Sequence, residues 1–588
     1  MTSTVKVRIP GKGNVTLTSK DYLATGGEGT VYVKSGLVYK LYLDPVAARA
    51  RGIEEKVKLL AQVRHPYVVS PLGVLENDKQ EVVGFYMEEA PGVPLVKTFT
   101  NAWRDPNGFG LKESLALVEN MRKALCFVHQ AGAVTVDANE MNYLAHGVEP
   151  RLLDVDSWQI GRFKASAVMP SIRDPHAKVF DEGSDWFAWA VVTFQVLTGI
   201  HPYKGTHASF KRGDLAARMA ANVSVLDPTV STNAGVRDFS DIPGHLLDWY
   251  RDVFQAGRRE APPSVTAPTA RKSPSRKKAA QTSPSRGLNY EMLLELPGRL
   301  RMLLPGGFAI LETAERVLFD LQRRVVLEGA PPDAVAAVLS HRAAVLRTAS
   351  ATVLAQLTSS GIRATTLRGP REPVPPSTAQ QQELPFLASE LRAWDGRLFA
   401  LSRDSETGLS ELQVDALGGQ TLLSVKGSWP FLARSARIFG SMAVFDALGA
   451  PYLVLPLKDS VYVERCPSLR GYEVLDALVL SSDRALVIAL KKSDGQLYRM
   501  TLARQVDGSF STASATLTDM PKLNAALSEK GLLLCHGEQS ELLLSLVSSD
   551  ASKTLTGTGL DPNCELFALP SGFHIIRDNQ LLRISMAP

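Results

Sequence analysis

The chain has 588 residues, of which 45% are hydrophobic and 21% are charged, so it has the composition of ordinary globular proteins. This length exceeds what one hydrophobic core usually supports, and we expect two or three domains. The four cysteines form no CxxC pair, which argues against a zinc ribbon or a disulfide scaffold and favours the cytoplasm. The longest apolar run, residues 186–200, is too short to span a bilayer, so it predicts a buried helix and no membrane segment.

The basic charge of the chain is concentrated in one segment. Residues 264–288 carry six basic side chains and no acid, so removing them from the total of +5 leaves −1 for everything else. The segment is rich in Pro, Ser and Ala, which predicts a disordered linker. It separates residues 1–263 from residues 289–588. As well as a spacer, it is a candidate for weak contact with nucleic acid or other polyanions, and its serines are candidate phosphate acceptors.

A glycine-rich turn opens the first part of the chain. Residues 23–32 read LATGGEGTVY, where three glycines allow a tight turn and close approach to a ligand before a strand begins. The next strand, residues 37–43, carries Lys40 among apolar residues, where lysine is rarely buried without a partner. Taken alone, Lys40 fits an edge strand that exposes its charge to water. After a glycine-rich turn, it is better explained as a cation aimed at anionic oxygens.

Three polar residues follow at suggestive spacing. Asp137 and Asn142 lie five residues apart in VTVDANEMNYLA, and Asp154 stands twelve residues further on in RLLDVDSWQI. A carboxylate among β-branched residues is costly to bury without a partner or a metal ion. Carboxylate and amide oxygens are ligands that suit Mg²⁺. A very hydrophobic helix beginning near Asp185 is predicted after them.

With these motifs in this order, residues 1–263 resemble the protein kinases, whose fold is bilobal and α+β. The kinase glycine-rich loop is G-x-G-x-x-G-x-V, and here Ala24 replaces its first glycine. DVDSWQ and HPYKG resemble a divergent bacterial and phage group with the pattern D-x-D-S-[FW]-Q. The resemblance implies ATP and Mg²⁺ as cofactors and the following nucleotide-binding residues: Gly26, Gly27, Gly29, Val31, Lys40, Glu55, Glu88 and Ala90.

The resemblance also implies a role for each nucleotide-binding side chain. Lys40 would hold the α- and β-phosphates in phosphoryl transfer. A glutamate on the following helix would hold Lys40. The expected place falls on Lys56, so Glu55 is the choice and Glu54 the alternative. Main-chain groups of Glu88 and Ala90 would bind the adenine edge.

The catalytic and metal-binding roles follow from the same resemblance. Asp137 would accept the proton of the acceptor hydroxyl or orient it, and Asn142 and Asp154 would bind Mg²⁺. Asp185 would tether the backbone of the loop that carries Asp137. Asp156, an additional acid, would either join the metal site or face solvent.

Several departures weaken the resemblance on the side of the protein substrate. Thr135 and Val136 replace the usual His-Arg before Asp137, and Asn139 replaces a lysine that contacts the γ-phosphate. No A-P-E motif follows, and the segment between Asp154 and Asp185 is short. ATP binding is therefore better supported than protein phosphorylation, and transfer of AMP stays open as an alternative.

The second part of the chain predicts many short strands. From about residue 300, apolar runs alternate with turn signals such as SDG and GEQS, which favours an all-β, propeller-like domain of six to seven four-stranded units. Two β-sandwiches, or a mixed domain with a helical start at 312–357, are the alternatives. Residues 288–304 predict either one helix or a strand with a turn at Pro297 and Gly298. By fold analogy alone, this part would recruit a protein substrate or partner.

These observations favour an ATP- and Mg²⁺-dependent Ser/Thr-type kinase with a β-rich recruiting domain. The rival hypothesis is a pseudokinase scaffold that acts through protein contacts. The retained Lys40, Asp137, Asn142 and Asp154 favour the enzyme, whereas Ala24, Asn139 and the missing A-P-E motif favour the scaffold. A third hypothesis, anchoring to nucleic acid, rests on the basic linker.

Overall fold

The computed structural model describes residues 4–165, 168–233, 235–265 and 288–348, and then residues 350–586 with short gaps. These gaps are residues 360, 371, 373–378, 385, 403–407, 418–419, 458–459, 538–540, 549–551, 559, 562–563 and 578. The predicted linker, 264–288, falls almost entirely on residues 266–287, which lie outside the described residues. The chain is multidomain and mostly β. We call residues 4–265 the N-terminal region and residues 288–586 the C-terminal region.

The N-terminal region combines β-strands with most of the helices. Its strands are β1 (Val5–Ile9), β2 (Gly13–Leu17), β3 (Tyr22–Thr25), β4 (Gly29–Lys34), β5 (Leu37–Tyr42), β6 (Pro71–Glu76), β7 (Val82–Glu88), β8 (Val93–Pro94), β9 (Ala133–Val134), β10 (Tyr143–His146), β11 (Glu149–Leu152) and β12 (Gln159–Ile160). Its helices are α1 (Pro45–Ala50), α2 (Ile53–Leu60), α3 (Asn101–Arg104), α4 (Leu111–Gln130), α5 (Glu182–Thr198), α6 (Leu215–Ala220) and α7 (Gly244–Phe254).

Strands β1 to β7 form one antiparallel sheet in the order β2-β1-β6-β7-β5-β4-β3. Strand β5 is therefore central, and Lys40 pairs with Val31 on β4 and with Phe85 on β7. The turn between β4 and β5 has positive φ at Ser35 (52°) and Gly36 (75°). Two successive residues with positive φ match the right-handed twist of a hairpin, which is why a glycine follows the serine here.

The helices pack around α5, the segment that the sequence predicts as a buried helix. Every residue of α5 from Ser184 to Thr198 is buried, and α4 and α7 pack beside it in the largest apolar cluster of the region. Asp181 caps its start by accepting a hydrogen bond from the backbone of Ser184. The prediction of a buried helix at 186–200 is confirmed.

Among its described residues, the C-terminal region contains one short α-helix, α8 (Pro332–Leu339), one 3₁₀ turn (Pro467–Leu469) and many strands. The strands are β13 (Leu288–Glu295), β14 (Arg299–Leu304), β15 (Phe308–Glu312), β16 (Arg316–Asp320), β17 (Val325–Val326), β18 (Ala343–Arg347), β19 (Thr352–Thr358), β20 (Gly361–Leu367), β21 (Ala379–Gln382), β22 (Glu390–Trp394), β23 (Arg397–Leu401), β24 (Leu409–Leu417), β25 (Gln420–Trp429), β26 (Arg437–Ile438), β27 (Ala443–Ala447), β28 (Ala450–Leu457), β29 (Ser460–Arg465), β30 (Tyr472–Ser481), β31 (Arg484–Lys491), β32 (Leu497–Arg504), β33 (Phe510–Leu517), β34 (Ala525–Leu527), β35 (Leu532–His536), β36 (Leu542–Leu546), β37 (Ser552–Leu555), β38 (Leu566–Leu569), β39 (Gly572–Arg577) and β40 (Gln580–Met586).

These strands form four-stranded antiparallel sheets that succeed one another along the chain. Six sheets use four consecutive strands each, from β14–β17 to β34–β37. A seventh has the order β13-β40-β39-β38, so the first strand of the region completes the last sheet. Pairing of Leu288 with Met586 thus closes the series on itself. The described residues of this region therefore form seven four-stranded sheets, in agreement with the six to seven units predicted from its length.

The structure decides two alternatives that the sequence left open in this region. Residues 288–304 form no helix: β13 ends before Pro297, and β14 begins after it in a different sheet. In the described part of 312–357, α8 is eight residues long and the rest is mainly strands, so a helical start is wrong there. Among the described residues, none of the helices has both the length and the apolar character needed to cross a membrane.

The two regions are in contact at several points. The Tyr22 hydroxyl donates to an Asp446 carboxylate oxygen at 2.5 Å and accepts from the backbone of Gly449 at 3.0 Å. The Gln496 side chain donates to the carbonyl of Gly213 at 2.7 Å. Both regions also line a cavity of about 710 Å³, where residues 99–106 meet first strands of successive C-terminal sheets.

Candidate functional site

The glycine-rich turn lies between β3 and β4, beside the strand that carries Lys40. The Gly26 amide donates to the Gly29 carbonyl at 2.9 Å and closes the turn. A Cβ at Gly29 would lie 2.7 Å from the Leu41 carbonyl oxygen, so only glycine fits this position. A Cβ at Gly27 would meet no atom within 4 Å, so the backbone there is open to a ligand.

Lys40 is buried and contacts two carboxylates from a distant loop. Its Nζ lies 2.5 Å from Asp154 Oδ1 and 2.7 Å from Asp156 Oδ1. Burial alone would lower the pKa of Lys40, but the carboxylates of Asp156 and Asp154 outweigh it and raise the pKa. Lys40 is therefore a permanent cation, as the sequence predicts, and its partners lie on a loop more than a hundred residues away.

The predicted pair between Lys40 and Glu55 is wrong in this structure. Glu55 is exposed on α2 and forms an ion pair with Arg162, and the alternative residue, Glu54, pairs with Lys58 at 2.7 Å. Gly52, where φ is +76°, separates α1 from α2, the helix on which the glutamate is expected. After this break α2 turns its two acids outward, and a lysine points inward.

That inward residue is Lys56, which is 6% exposed. Its Nζ donates to the main-chain carbonyl of Asp156 at 2.6 Å. Burial lowers the pKa of Lys56. The position at which the resemblance implies a glutamate therefore faces the site, but it is occupied by a lysine, Lys56.

A β-hairpin brings Asn142 and Asp154 together. Asn142 precedes β10 and Leu153 follows β11, and the Leu153 amide donates to the Asn142 carbonyl at 2.8 Å. Asp154, the next residue, adopts a left-handed conformation with φ of 55°. Non-glycine residues rarely adopt this conformation, and such strain is concentrated at functional sites.

The loop that carries Asp137 is held by α5. Asp185, 1% exposed, accepts hydrogen bonds from the backbone of Thr135 at 2.7 Å and of Val136 at 2.8 Å. Val136 has a φ of 59°, a costly conformation for a β-branched residue. The buried carboxylate therefore maintains a strained backbone immediately before Asp137. The tether that the resemblance implies is present.

Asp137 has two hydrogen bonds to its carboxylate. Its Oδ1 accepts from the Met169 amide at 2.7 Å and from the Asn139 side chain at 3.1 Å. Burial raises the pKa of Asp137, although both hydrogen bonds oppose the shift. The Asn142 side chain donates to the Asp137 carbonyl at 2.7 Å, so the predicted catalytic and metal-binding residues form one connected unit.

The predicted adenine-binding residues lie beside an apolar cluster. Val31, Ala90 and Leu153 are only partly buried and pack against this cluster, which includes Met87. Glu88 ends β7 and its side chain is exposed, so only its backbone is suitably placed. Apolar side chains with part of their surface free, next to main-chain groups, suit a planar base.

The donor set fits Mg²⁺ bound together with a nucleotide. Asp154 keeps 34% of its side chain exposed next to Asn142. The Lys40 ammonium lies beside it and offers a positive charge to phosphate oxygens. Mg²⁺ usually takes one or two protein oxygens and fills its remaining positions with water and phosphate. Among the described residues, no group of three His, Cys, Asp or Glu side chains could bind a metal ion alone.

Sequence reasoning missed three contacts of the site. It left Asp156 either as a metal ligand or as an exposed acid, whereas the side chain is 1% exposed and bound to Lys40. It assigned no contact to Tyr42, whose hydroxyl donates to Asp156 at 3.1 Å. The inward position of Lys56 was visible, since it occupies the expected glutamate position. No signal in the sequence indicated that the Met169 amide reaches Asp137.

Comparison with known proteins gives limited support for the resemblance to protein kinases. No protein-family model and no curated protein matches the chain. Among solved structures, the chain is similar to the PknI kinase domain of Mycobacterium tuberculosis, with 22% identity and a TM-score of 0.25. The match covers 34% of this chain and 80% of that domain. A similarity of this size does not establish a family.

Proposed function

We propose that residues 1–263 form a bilobal, protein-kinase-like domain that transfers a phosphoryl group from Mg²⁺-ATP to a hydroxyl group. The observation that carries the proposal is the connected unit around Lys40. One buried cation, two carboxylates on one loop, and Asp137 joined to Asn142 meet next to a glycine-rich turn. Positioning and charge stabilisation of this kind are what phosphoryl transfer requires.

Each side chain has a distinct task in this proposal. Mg²⁺-ATP supplies the phosphoryl group and part of the charge neutralisation. Lys40 binds phosphate oxygens, while Asp154 and Asn142 provide metal ligands. Asp137 accepts the proton of the acceptor hydroxyl as the new P–O bond forms and the bond to the β-phosphate oxygen breaks. Its raised pKa brings it closer to neutral pH, which favours a general base.

We further propose that residues 289–588 form a seven-bladed, propeller-like domain that recruits a protein substrate or partner. Its closed series of seven four-stranded sheets supports this architecture. Side chains of this region form hydrogen bonds with Tyr22 and Gly213 of the N-terminal region. The recruiting role itself rests on analogy with other propellers.

A second candidate function is that of a pseudokinase scaffold. The Oδ1 atom of Asp137 already accepts from the Met169 amide and the Asn139 side chain, so an acceptor hydroxyl would have to compete for Oδ1 or use Oδ2. The C-terminal region also lies close to the same segment, since a Cβ added at Gly495 would be 2.5 Å from Ser171 Oγ. A protein that binds nucleotide without transferring phosphate would retain these contacts.

The two functions are separated by following labelled phosphate. Full-length protein is incubated with Mg²⁺ and γ-³²P-ATP, with and without a generic protein acceptor, beside Asp154→Ala and Asp137→Asn. Label on wild type that is lost in both variants supports the kinase. Label from α-³²P-ATP instead indicates transfer of AMP. Nucleotide binding without either label favours the scaffold.

A further inference from the structure

The two carboxylates that contact Lys40 differ in their access to solvent. Asp154 keeps 34% of its side chain exposed, whereas Asp156 keeps 1%. An exposed carboxylate can exchange its contact with Lys40 for a metal ion in the cleft with little rearrangement. Asp156 cannot do so without uncovering a buried charge. The contact with Asp156 is therefore the one that persists when a ligand occupies the cleft.

Asp156 is itself held in place by contacts to its side chain and to its main chain. The Tyr42 hydroxyl donates to Oδ2 at 3.1 Å, and Lys40 occupies Oδ1. Its main-chain carbonyl accepts the hydrogen bond from Lys56 Nζ at 2.6 Å. Because Tyr42 and Lys40 lie on β5 and Lys56 lies on α2, the loop that carries Asp156 is fixed to both elements.

Helix α2 contributes no carboxylate to this arrangement. The side chains of Glu54 and Glu55 are 53% and 57% exposed and pair with cations at the surface. Only Lys56 enters the site from this helix, and its charge has the opposite sign to that of a glutamate. Lys40 therefore depends for its placement on the loop that also provides Asp154.

We infer that Asp156 is the positioning residue for Lys40, in the role that a helix glutamate was expected to play, and that Lys56 fixes the loop from which Asp156 acts. This inference rests on the proposed function and assigns a further residue to the same site. One loop then carries both the proposed metal ligand, Asp154, and, two residues further on, the carboxylate that positions Lys40. When Asp154 turns to Mg²⁺, Lys40 still has a buried counter-charge.

The first test removes the charge of Asp156 and keeps its shape. Asp156→Asn is expected to lower kcat/KM for phosphoryl transfer about 100-fold, because a cation displaced by about 1 Å loses this much. Affinity for Mg²⁺-ATP is expected to fall as well, as measured by titration. Glu55→Gln is the matched control on α2, and it is expected to leave both quantities within twofold of wild type.

The second test distinguishes positioning from a general effect on folding. Lys56→Glu alone brings a third carboxylate to Lys40 and is expected to lower transfer. Asp156→Asn combined with Lys56→Glu restores one buried carboxylate beside Lys40, now on the helix. The double variant is expected to recover at least tenfold over Asp156→Asn. A purely structural role gives no reason for a carboxylate at position 56 to restore transfer, and the coupling between the two substitutions in this double-mutant cycle measures the difference.

The outcomes separate this inference from the proposed function. If wild type binds no Mg²⁺-ATP and transfers no label, the proposed function fails, and the inference fails with it. If wild type is active and Asp156→Asn matches it, the function stands and the inference is overturned. Loss in Asp156→Asn without recovery in a folded double variant also overturns it. Loss followed by recovery supports it.

Discussion

Buried charged side chains occur in both regions of the molecule, but they connect elements at different distances along the chain. In the C-terminal region, Asp320 accepts hydrogen bonds from the next turn and pairs with Arg347 of the following sheet at 2.8 Å. In the N-terminal region, Lys40 pairs with Asp154 and Asp156, 114 and 116 residues away. The first pattern joins neighbouring elements. The second joins a strand to a remote loop and leaves one carboxylate, that of Asp154, accessible.

The comparison teaches that burial of a charge is not by itself a sign of function. Asp320 is fully buried, and its partners account for it as a structural residue that closes a turn. The site around Lys40 has features that a structural pair does not need. These are a turn with one position that only glycine fits, two non-glycine residues with positive φ, and a partly exposed carboxylate beside an amide.

The largest expected effect is on phosphoryl transfer, and it is tested by one substitution in each region. Under the proposed function, Asp154→Asn is expected to reduce phosphoryl transfer by more than about 1000-fold, because it would remove the proposed metal ligand and its negative charge. Asp320→Asn, an equally conservative change at a buried acid, is expected to leave kcat within twofold and to lower stability by about 1–3 kcal/mol. Transfer rates and urea unfolding measure the two effects. Equal loss of transfer in both variants would contradict the distinction.

The next largest effect concerns the tether of the loop that carries Asp137. Asp185→Ala leaves the buried amides of Thr135 and Val136 without an acceptor, so unfolding free energy is expected to fall by about 3–5 kcal/mol. Urea denaturation followed by tryptophan fluorescence measures it, since Trp186 and Trp189 lie on the same helix. A loss below about 1 kcal/mol would show that the strained backbone at Val136 does not need this carboxylate.

The pH dependence of transfer sharpens the assignment of Asp137. Burial raises its pKa, so the folded protein protonates Asp137 at a higher pH than an exposed aspartate, whose pKa is about 3.9. Activity that requires the ionised form is therefore lost as the pH falls through this raised value. The acidic limb of kcat/KM against pH is expected above about 4. A limb at or below that value would remove Asp137 from the role of base.

The smallest effect tests the contact between the two regions. Gly495→Ala and Gly471→Ala both replace a glycine with positive φ, 69° and 81°, and each is expected to cost about 1 kcal/mol. A Cβ at Gly495 would also lie 2.5 Å from Ser171 Oγ, whereas a Cβ at Gly471 would meet nothing within 4 Å. Hydrogen exchange at the Met169 amide is expected to accelerate only in Gly495→Ala. Equal exchange in both variants would mean that the C-terminal region does not restrain this segment.

The sequence predicted those features that depend on local pattern. The glycine-rich turn, the strand of Lys40 and the buried helix α5 follow from residue types over a few positions. Repeated strands with turn signals likewise predicted four-stranded sheets, although not that β13 completes the sheet of β38–β40. That closure joins residues nearly three hundred positions apart, which no local pattern encodes.

The partner of Lys40 could not be predicted for a similar reason. The choice depended on which of the neighbours Glu54, Glu55 and Lys56 points inward after the break at Gly52. A Cβ there would lie 2.9 Å from Phe163, so the break is linked to tertiary packing rather than to helix propensity. The motif DVDSWQ contains Asp156, but the sequence does not indicate that its side chain turns toward Lys40.

The measurement that tests the central claim most directly is calorimetric titration of the full chain with ATP, with and without Mg²⁺. It uses wild type, Asp154→Asn and Asp320→Asn. We expect wild type and Asp320→Asn to bind one ATP in a Mg²⁺-dependent manner, and Asp154→Asn to lose the dependence on Mg²⁺. Wild type that binds no ATP, or binding that neither Mg²⁺ nor Asp154→Asn changes, would contradict a nucleotide site built around Lys40 and Asp154.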